Sequence, residues 1–144
     1  MPVGRILLKS ISGSNKMSQL KTDGARLLYT WLLAHADING CYSGDAKVIR
    51  GTIVTRLEKS IKTIESYLQD VEKLELIFRY SSDNDVFLII PDFVEKQPSL
   101  NPTREAKPTI PMPTLEQIGS LSDIAQERIK HNINEVKLRE DKPS

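Results

Sequence analysis

Between Ser60 and Leu74 the chain reads SIKTIESYLQDVEKL, and its apolar residues Ile61, Ile64, Leu68, Val71 and Leu74 recur every three or four positions. That spacing lines one stripe of an α-helix; a strand, whose side chains alternate with period two, cannot gather these residues on one face. The stretch must therefore lay one side on a core and keep the other polar, with Ser60 placed to cap its start. The polar side opens with Lys59, Lys62, Thr63 and Ser66, with Tyr67 beside them. These residue types can meet phosphate oxygens or base edges, although lysines on such a face, Lys62 and Lys73 among them, are equally ordinary solvated residues.

What precedes this helix reads as its scaffold. RILLKSIS is a short apolar stretch expected to form an extended arm or edge strand, and SGSNKMSQL has loop composition. Thr22 or Asp23 can then cap a helix in which Ala25, Leu28, Leu32 and Ala36, with Leu27, Trp31 and Ala34 beside them, give a broad apolar face. Trp31 is expected in the core and His35 at the helix end or in packing. Asn39-Gly40 signals a turn, after which Cys41 and Tyr42 form a short strand. Asp45 caps a second helix carrying Ala46, Ile49, Ile53 and Val54 inward and Lys47 and Arg50 elsewhere. Gly51 weakens the end of that helix by about 1 kcal/mol relative to alanine, and Thr55 to Lys59 turns the chain into Ser60.

After Leu74 the period changes. Leu76 to Tyr80 reads as a strand, SSDND as a turn-forming loop, and Val86 to Ile90 as a second, almost wholly apolar strand. A β-hairpin directly after an amphipathic helix of this kind is a wing. The expected fold is therefore α+β, a winged helix-turn-helix with a three-helix core plus a β-hairpin wing, occupying residues 1–92 together with its N-terminal arm.

Beyond this, Pro91, Pro98, Pro102, Pro108, Pro111 and Pro113 crowd one segment. Proline removes an amide donor and fixes φ, so no regular helix or central strand runs through it, and residues 93–113 are expected to be an extended proline-rich linker or tail. Residues 114–144 then offer Thr114 and Gln117 as a capping box and Leu121, Ile124, Ala125, Arg128, Ile129, Asn132, Ile133 and Val136 as an amphipathic terminal helix. Such a helix needs a surface to cover: the domain itself, a second copy or another protein.

Composition closes off several classes. No apolar run approaches the roughly 20 residues that cross a bilayer, and the N-terminus has no secretory pattern, so a cytoplasmic protein without membrane partners is expected. The one cysteine, Cys41, has no internal partner, and with two isolated histidines it provides no metal-ligand spacing; no metal or other cofactor is expected. Phosphate-binding loop, zinc-protease and nucleophile-elbow motifs are all missing, so the chain does not read as an enzyme. The formal charge is only +1, but it is unevenly distributed. Arg5, Lys9, Lys16 and Lys21 stand unopposed in the first 21 residues, and Lys47, Arg50, Arg56, Lys59 and Lys62 face Glu58 alone.

The run ARLLYTWLLAHADINGCYSGD, the helical pair, LELIFRY, the short polar turn and VFLIIPDFVEKQ resemble the N-terminal winged-helix domain of phage and prophage replisome-organiser or replication-initiator proteins, a group similar to DnaD-type proteins. The similarity covers roughly residues 5–113. Its most specific parts are the first-helix run ending in Asn39-Gly40 and the segment Ile90, Pro91, Phe93 and Gln97. The resemblance implies a DNA-binding module that opens a replication origin or recruits helicase-loading proteins. The chain departs from such proteins in carrying no full C-terminal replication domain after the linker, and in an acidic wing tip, Ser81 to Asp85.

A helix of this kind works by entering the major groove, where its N-terminal half goes deepest. Lys59, Lys62, Thr63 and Ser66 are therefore expected at double-stranded DNA, with Tyr67 beside them, and Lys47, Arg50 and Arg56 on flanking phosphates. A transcriptional regulator would use the same surface. A protein-interaction or dimerisation module of a replication complex would instead use the C-terminal segment to bind a replication protein or a second copy.

Overall fold

The computed structural model describes residues 3–98 and 100–140, so the first two residues of the arm and the last four of the terminal segment lie outside it. The protein is α+β: helices α1 (Asn15–Gln19), α2 (Asp23–His35), α3 (Ala46–Thr52), α4 (Ile61–Lys73) and α5 (Asp123–Glu140) accompany strands β1 (Cys41–Ser43), β2 (Phe78–Ser82) and β3 (Asp85–Ile89). The three strands form one antiparallel sheet in the order β1-β3-β2. This arrangement is compatible with a winged helix-turn-helix. No described helix is long and apolar enough to cross a membrane.

The stretch Ser60 to Leu74 is helical as its spacing requires. The Ser60 side chain accepts the Thr63 amide, and Ile64, Tyr67, Leu68 and Val71 are buried. Ile61 departs from the stripe: in the first turn it reaches past the core and stays exposed. The caps of α2 and α3 are Thr22, accepting from the Ala25 amide, and Asp45, accepting from the Lys47 amide. These bonds satisfy amides that the first helical turn leaves without internal partners. In α2 the buried face is Ala25, Leu28, Tyr29, Leu32 and Leu33. Trp31, expected in the core, is 37% exposed beside exposed Leu27. At about 100° per residue Leu27 falls nearly opposite the centre of the buried stripe and Trp31 roughly 130° from it, outside its edge.

Between α2 and β1 the Asp37 carboxylate accepts the Asn39 and Cys41 amides through Oδ1, at 2.9 and 3.0 Å. Gly40 follows at φ +80°, a conformation open to glycine at no steric cost, and a β-carbon there would stand 2.6 Å from the Phe93 Cβ. The hairpin is tighter than the composition of SSDND indicates. β2 and β3 pair as far as Ser82 and Asp85, leaving Asp83 and Asn84 as a two-residue turn at φ 51° and 69°. Asp and Asn tolerate this left-handed region, and two successive residues in it match the twist of the flanking strands. Leu76 and Ile77 precede the strand and are buried. From β2, Arg79 reaches back to α4, bonding Glu65 at 2.7 and 2.8 Å and Glu72 at 3.3 Å, which fixes the hairpin against that helix.

The two faces of the sheet are both covered. Leu88 packs into the core built by α2, α3 and α4, while Ile89, Cys41 and Tyr80 face the other way into a second core completed by Ile118 and Ile129. The near-continuous apolar run of β3 is what burial on both faces demands.

The N-terminal arm is extended only at its start. The second half of the stretch expected to be extended instead winds into a 3-10 turn (Lys9–Gly13), and the expected loop holds α1, whose Ser14 cap accepts the Met17 amide. Among its described residues the segment 93–113 carries no α-helix, but it lies along the domain. Phe93 is fully buried, and the buried Gln97 side chain bonds both the N–H and the carbonyl of Ile6. Glu105 pairs with Arg5, and the Tyr80 hydroxyl donates to the Pro111 carbonyl at 2.6 Å. Thr114 and Gln117 do form a reciprocal capping box, at 2.9 and 3.1 Å, yet it heads a 3-10 turn (Gln117–Ser120) rather than the long helix. α5 starts after Ser122, whose hydroxyl accepts the Ala125 amide. Its buried residues are Ala125, Ile129 and Asn132, whereas Ile124, expected on the apolar face, is exposed. The terminal helix thus covers the second face of the sheet.

Candidate nucleic-acid interface

The turn between α3 and α4 buries Ile53 and Val54 in the core and leaves its charged side chains outside. Lys47 and Arg50 are both exposed on α3, whose buried residues are Ala46 and Ile49. Arg56 and Lys59 stand exposed in the turn, and Lys62 is exposed one position after α4 begins. The Arg50 Nε donates to the Lys59 carbonyl at 2.6 Å, which ties the end of α3 to the start of α4 and sets the spacing of the charges on each. Among the described residues no salt bridge joins any of these five cations to a carboxylate.

The acids of α4 are engaged elsewhere. Hydrogen bonding to Arg79 holds the Glu65 carboxyl below the usual carboxylate range, and the same guanidinium takes up Glu72. Asp70 accepts the Lys21 amide at 2.8 Å. The face of α4 nearest the basic turn is therefore left with Lys62 and Ser66, both exposed, and Thr63 half-buried. The Thr63 hydroxyl shares a hydrogen bond of 3.0 Å with Ser60, the capping residue. That cap leaves the positive end of the helix dipole directed toward the same surface as the lysines.

Tyr67 stands apart from the other seven predicted contacts. It is 9% exposed, and its ring lies against the backbone of Gly24, where any β-carbon would collide with its Cζ and hydroxyl. It belongs to the packed side of α4, since it falls three residues from Ile64 and four from Val71, on the edge of the apolar stripe. It is not on the open polar face where the spacing had placed it. In the other direction, the polar face extends further than the predicted set. Lys62, Ser66, Gln69 and Lys73 follow one another at intervals of four, three and four, and Lys21 and Thr22 at the start of α2 come up beside them around one notch. The helical interval from Lys62 was legible in the sequence; the approach of Lys21, 49 residues from Asp70, was not.

Among the described residues no group of three or more His, Cys, Asp or Glu side chains is arranged to hold a metal ion. Comparison of the chain with protein-family models, with curated proteins and with solved structures finds no match.

Proposed function

We propose that this protein is a winged helix-turn-helix that binds double-stranded DNA through α4 and the turn before it, with the β2–β3 hairpin as its wing. The observation that carries this reading is the exposed set Lys47, Arg50, Arg56, Lys59 and Lys62, none of them in a salt bridge among the described residues, carried by α3, the turn after it and the first turn of α4 with Glu58 as the one acid among them. Phosphate attraction of this kind supplies most of the affinity of a DNA-binding module and makes it steeply salt-dependent. The order of α2, β1, α3, α4 and the hairpin, with β1 paired to β3, supports the frame. The acidic tip, Asp83 and Asp85, leaves the helix and the basic turn to supply the attraction.

A role in phage or prophage replication initiation rests on the resemblance to replisome organisers. The most specific residues of that resemblance meet in space: Gly40 and Phe93 are in contact, and Gln97 holds the arm at Ile6. A transcriptional regulator would present the same surface. Recovering bound DNA by selection and comparing it with origin and promoter regions separates the two roles.

The primary test is titration of a labelled duplex at low and moderate salt. Binding that weakens steeply with salt supports the reading, and no binding even at low salt overturns it. Lys62→Ala is expected to weaken binding by a factor of about ten while leaving the melting temperature unchanged. A second reading, an interaction or dimerisation module, is favoured by exposed Leu27 and Trp31 on α2. Sedimentation of the chain and of a Trp31→Ala variant tests it, and identical monomeric behaviour removes self-association through that face.

A further inference from the structure

The notch at the far end of the Lys62 face measures about 260 Å³ and is lined by Lys21 and Thr22 on the α2 side and by Ser66, Tyr67, Asp70 and Lys73 on the α4 side. It is continuous with the proposed DNA surface, because Ser66 belongs to both. Three features give it chemistry. The Tyr67 side chain is more than nine-tenths buried, yet among the described residues nothing hydrogen-bonds its hydroxyl. That hydroxyl is not sealed off, since Asp37 Oδ2 is the one described side-chain polar atom both buried and unpartnered; the phenol therefore ends at the open side of the notch. Gly24 is what lets the phenol lie there, for its missing side chain leaves the space that the Cζ and hydroxyl occupy.

The second feature is the start of α2, a helix of 13 residues. Thr22 caps the Ala25 amide only, so the Asp23 and Gly24 amides have no hydrogen-bond partner among the described residues and project at the positive end of the helix. The third is charge. Lys21 and Lys73 have no carboxylate partner among the described residues and outnumber the one carboxylate in the lining, Asp70, which accepts the Lys21 backbone amide at 2.8 Å and keeps its charge; Asp23 is paired with Arg26 at 3.0 Å.

We propose that this notch seats one phosphate of the DNA strand bordering the groove that α4 enters. The Tyr67 hydroxyl donates to a phosphate oxygen, the positive end of α2 begins directly after the lining residue Thr22, and Lys21 and Lys73 offset its charge. A single hydroxyl and two flexible ammonium groups offer no bidentate match to a base edge, so the seat positions the protein without reading sequence. The proposal rests on the DNA-binding reading above. It also changes what Tyr67 does: its ring is core, and only its oxygen meets the ligand.

The test uses the whole chain, labelled duplexes of two unrelated sequences, and a series of salt concentrations. Tyr67→Phe keeps the ring on Gly24 and removes the donor; it is expected to weaken binding to both duplexes equally, by about tenfold. Lys73→Ala is expected to lower the slope of log affinity against log salt by about 0.9, the release of one counterion. If both variants bind as the unmodified protein does while Lys62→Ala binds weakly, the seat is wrong and the DNA reading stands. If the unmodified protein binds neither duplex at low salt, both fall. A Tyr67→Phe protein that melts early leaves the decision to Lys73→Ala and Lys21→Ala: an unchanged salt slope in both overturns the seat.

Discussion

Arg5 and Glu105 form a two-point ion pair, Nη1 to Oε2 at 2.7 Å and Nη2 to Oε1 at 2.6 Å, with each side chain only 8% exposed. The same guanidinium donates to the Ala36 carbonyl at the end of α2 and lies over the Phe93 ring, 5.5 Å from its centroid. One arginine thus joins the arm, the end of α2 and the proline-rich segment. Glu105→Ala strands a cation in a site built to pair it. Breaking a buried pair commonly costs about 3 to 5 kcal/mol, and the low end is expected because the arm can lift and rehydrate Arg5. Urea denaturation should show a loss of about 3 kcal/mol, and limited proteolysis should reach the arm first. Arg5→Met combined with Glu105→Leu should recover most of the loss, since neither residue then leaves a charge behind. An unchanged midpoint in Glu105→Ala would mean that the clasp does not form in solution.

Gly24 and Tyr67 set up a second, sharper expectation. Alanine in the first turn of a helix ordinarily gains up to about 1 kcal/mol over glycine. Here the new β-carbon would meet the Tyr67 ring carbons and hydroxyl. Gly24→Ala is therefore expected to destabilise by about 1 to 3 kcal/mol, as overpacking does, and Tyr67→Leu in the same chain should relieve it. A stabilised Gly24→Ala protein would contradict this packing.

Two carboxylates give opposite pH behaviour. Burial holds the Asp37 carboxyl above its ordinary range, against the hydrogen bonds from Cys41 and Asn39 and the attraction of Arg5 and Arg139. A folded-state pKa above the unfolded one means the folded chain binds the proton more tightly. Asp37 thus burdens stability near neutral pH and releases that burden as pH falls through its folded pKa toward the unfolded value of about 3.9. Glu65, lowered mainly by its bond to Arg79, has the reverse sign. Its contribution is full above the unfolded value of about 4.3 and is lost as pH falls through its lower folded pKa. Urea midpoints near neutral pH, at about pH 5 and at about pH 3 resolve the two. Asp37→Asn should raise stability near neutral pH and lose the acid-side gain. Glu65→Gln should lower stability near neutral pH and flatten the drop at the acid end.

What the sequence disclosed and what it withheld follow from the range of the interactions involved. The stripe of α4, apart from exposed Ile61, and the caps Asp45 and Ser60 are local and legible, and the cap of α2 is legible to within one residue, Thr22 rather than Asp23. The turn within SSDND is legible but not its length, because five polar residues look alike although only Asp83 and Asn84 leave the ladder. Trp31 was placed inside because size outweighed its angle on the helix. The partner of α5 was hidden for a different reason. An apolar run such as VFLII shows that a strand is buried on both faces, but not which distant segment covers the second one. The basic turn of the candidate site is contiguous and readable, whereas the notch beside it needs Lys21 brought to α4 by the fold.

Cys41 reports on that second face. Its thiol is fully buried, 3.8 Å from the Met112 sulfur and 3.7 Å from the Tyr80 hydroxyl, and burial pushes its pKa up, so it is a poor nucleophile in the native chain. A thiol reagent should therefore label it only through opening. If α5, the turn before it and the segment carrying Met112 lift as a unit, the thiol is freed without unfolding α2, α3 and α4, because the two cores lie on opposite faces of the sheet. Ile129, fully buried in the second core, sets how tightly α5 docks. Ile129→Ala removes about 3 kcal/mol of packing, the scale for an isoleucine truncated in a core. Labelling in buffer without denaturant should then speed up by about two orders of magnitude. Glu105→Ala, acting on the arm, should leave the labelling rate close to that of the unmodified chain. Equal acceleration by both variants would mean that the molecule opens only as a whole, and no acceleration by Ile129→Ala would remove α5 from the sheet.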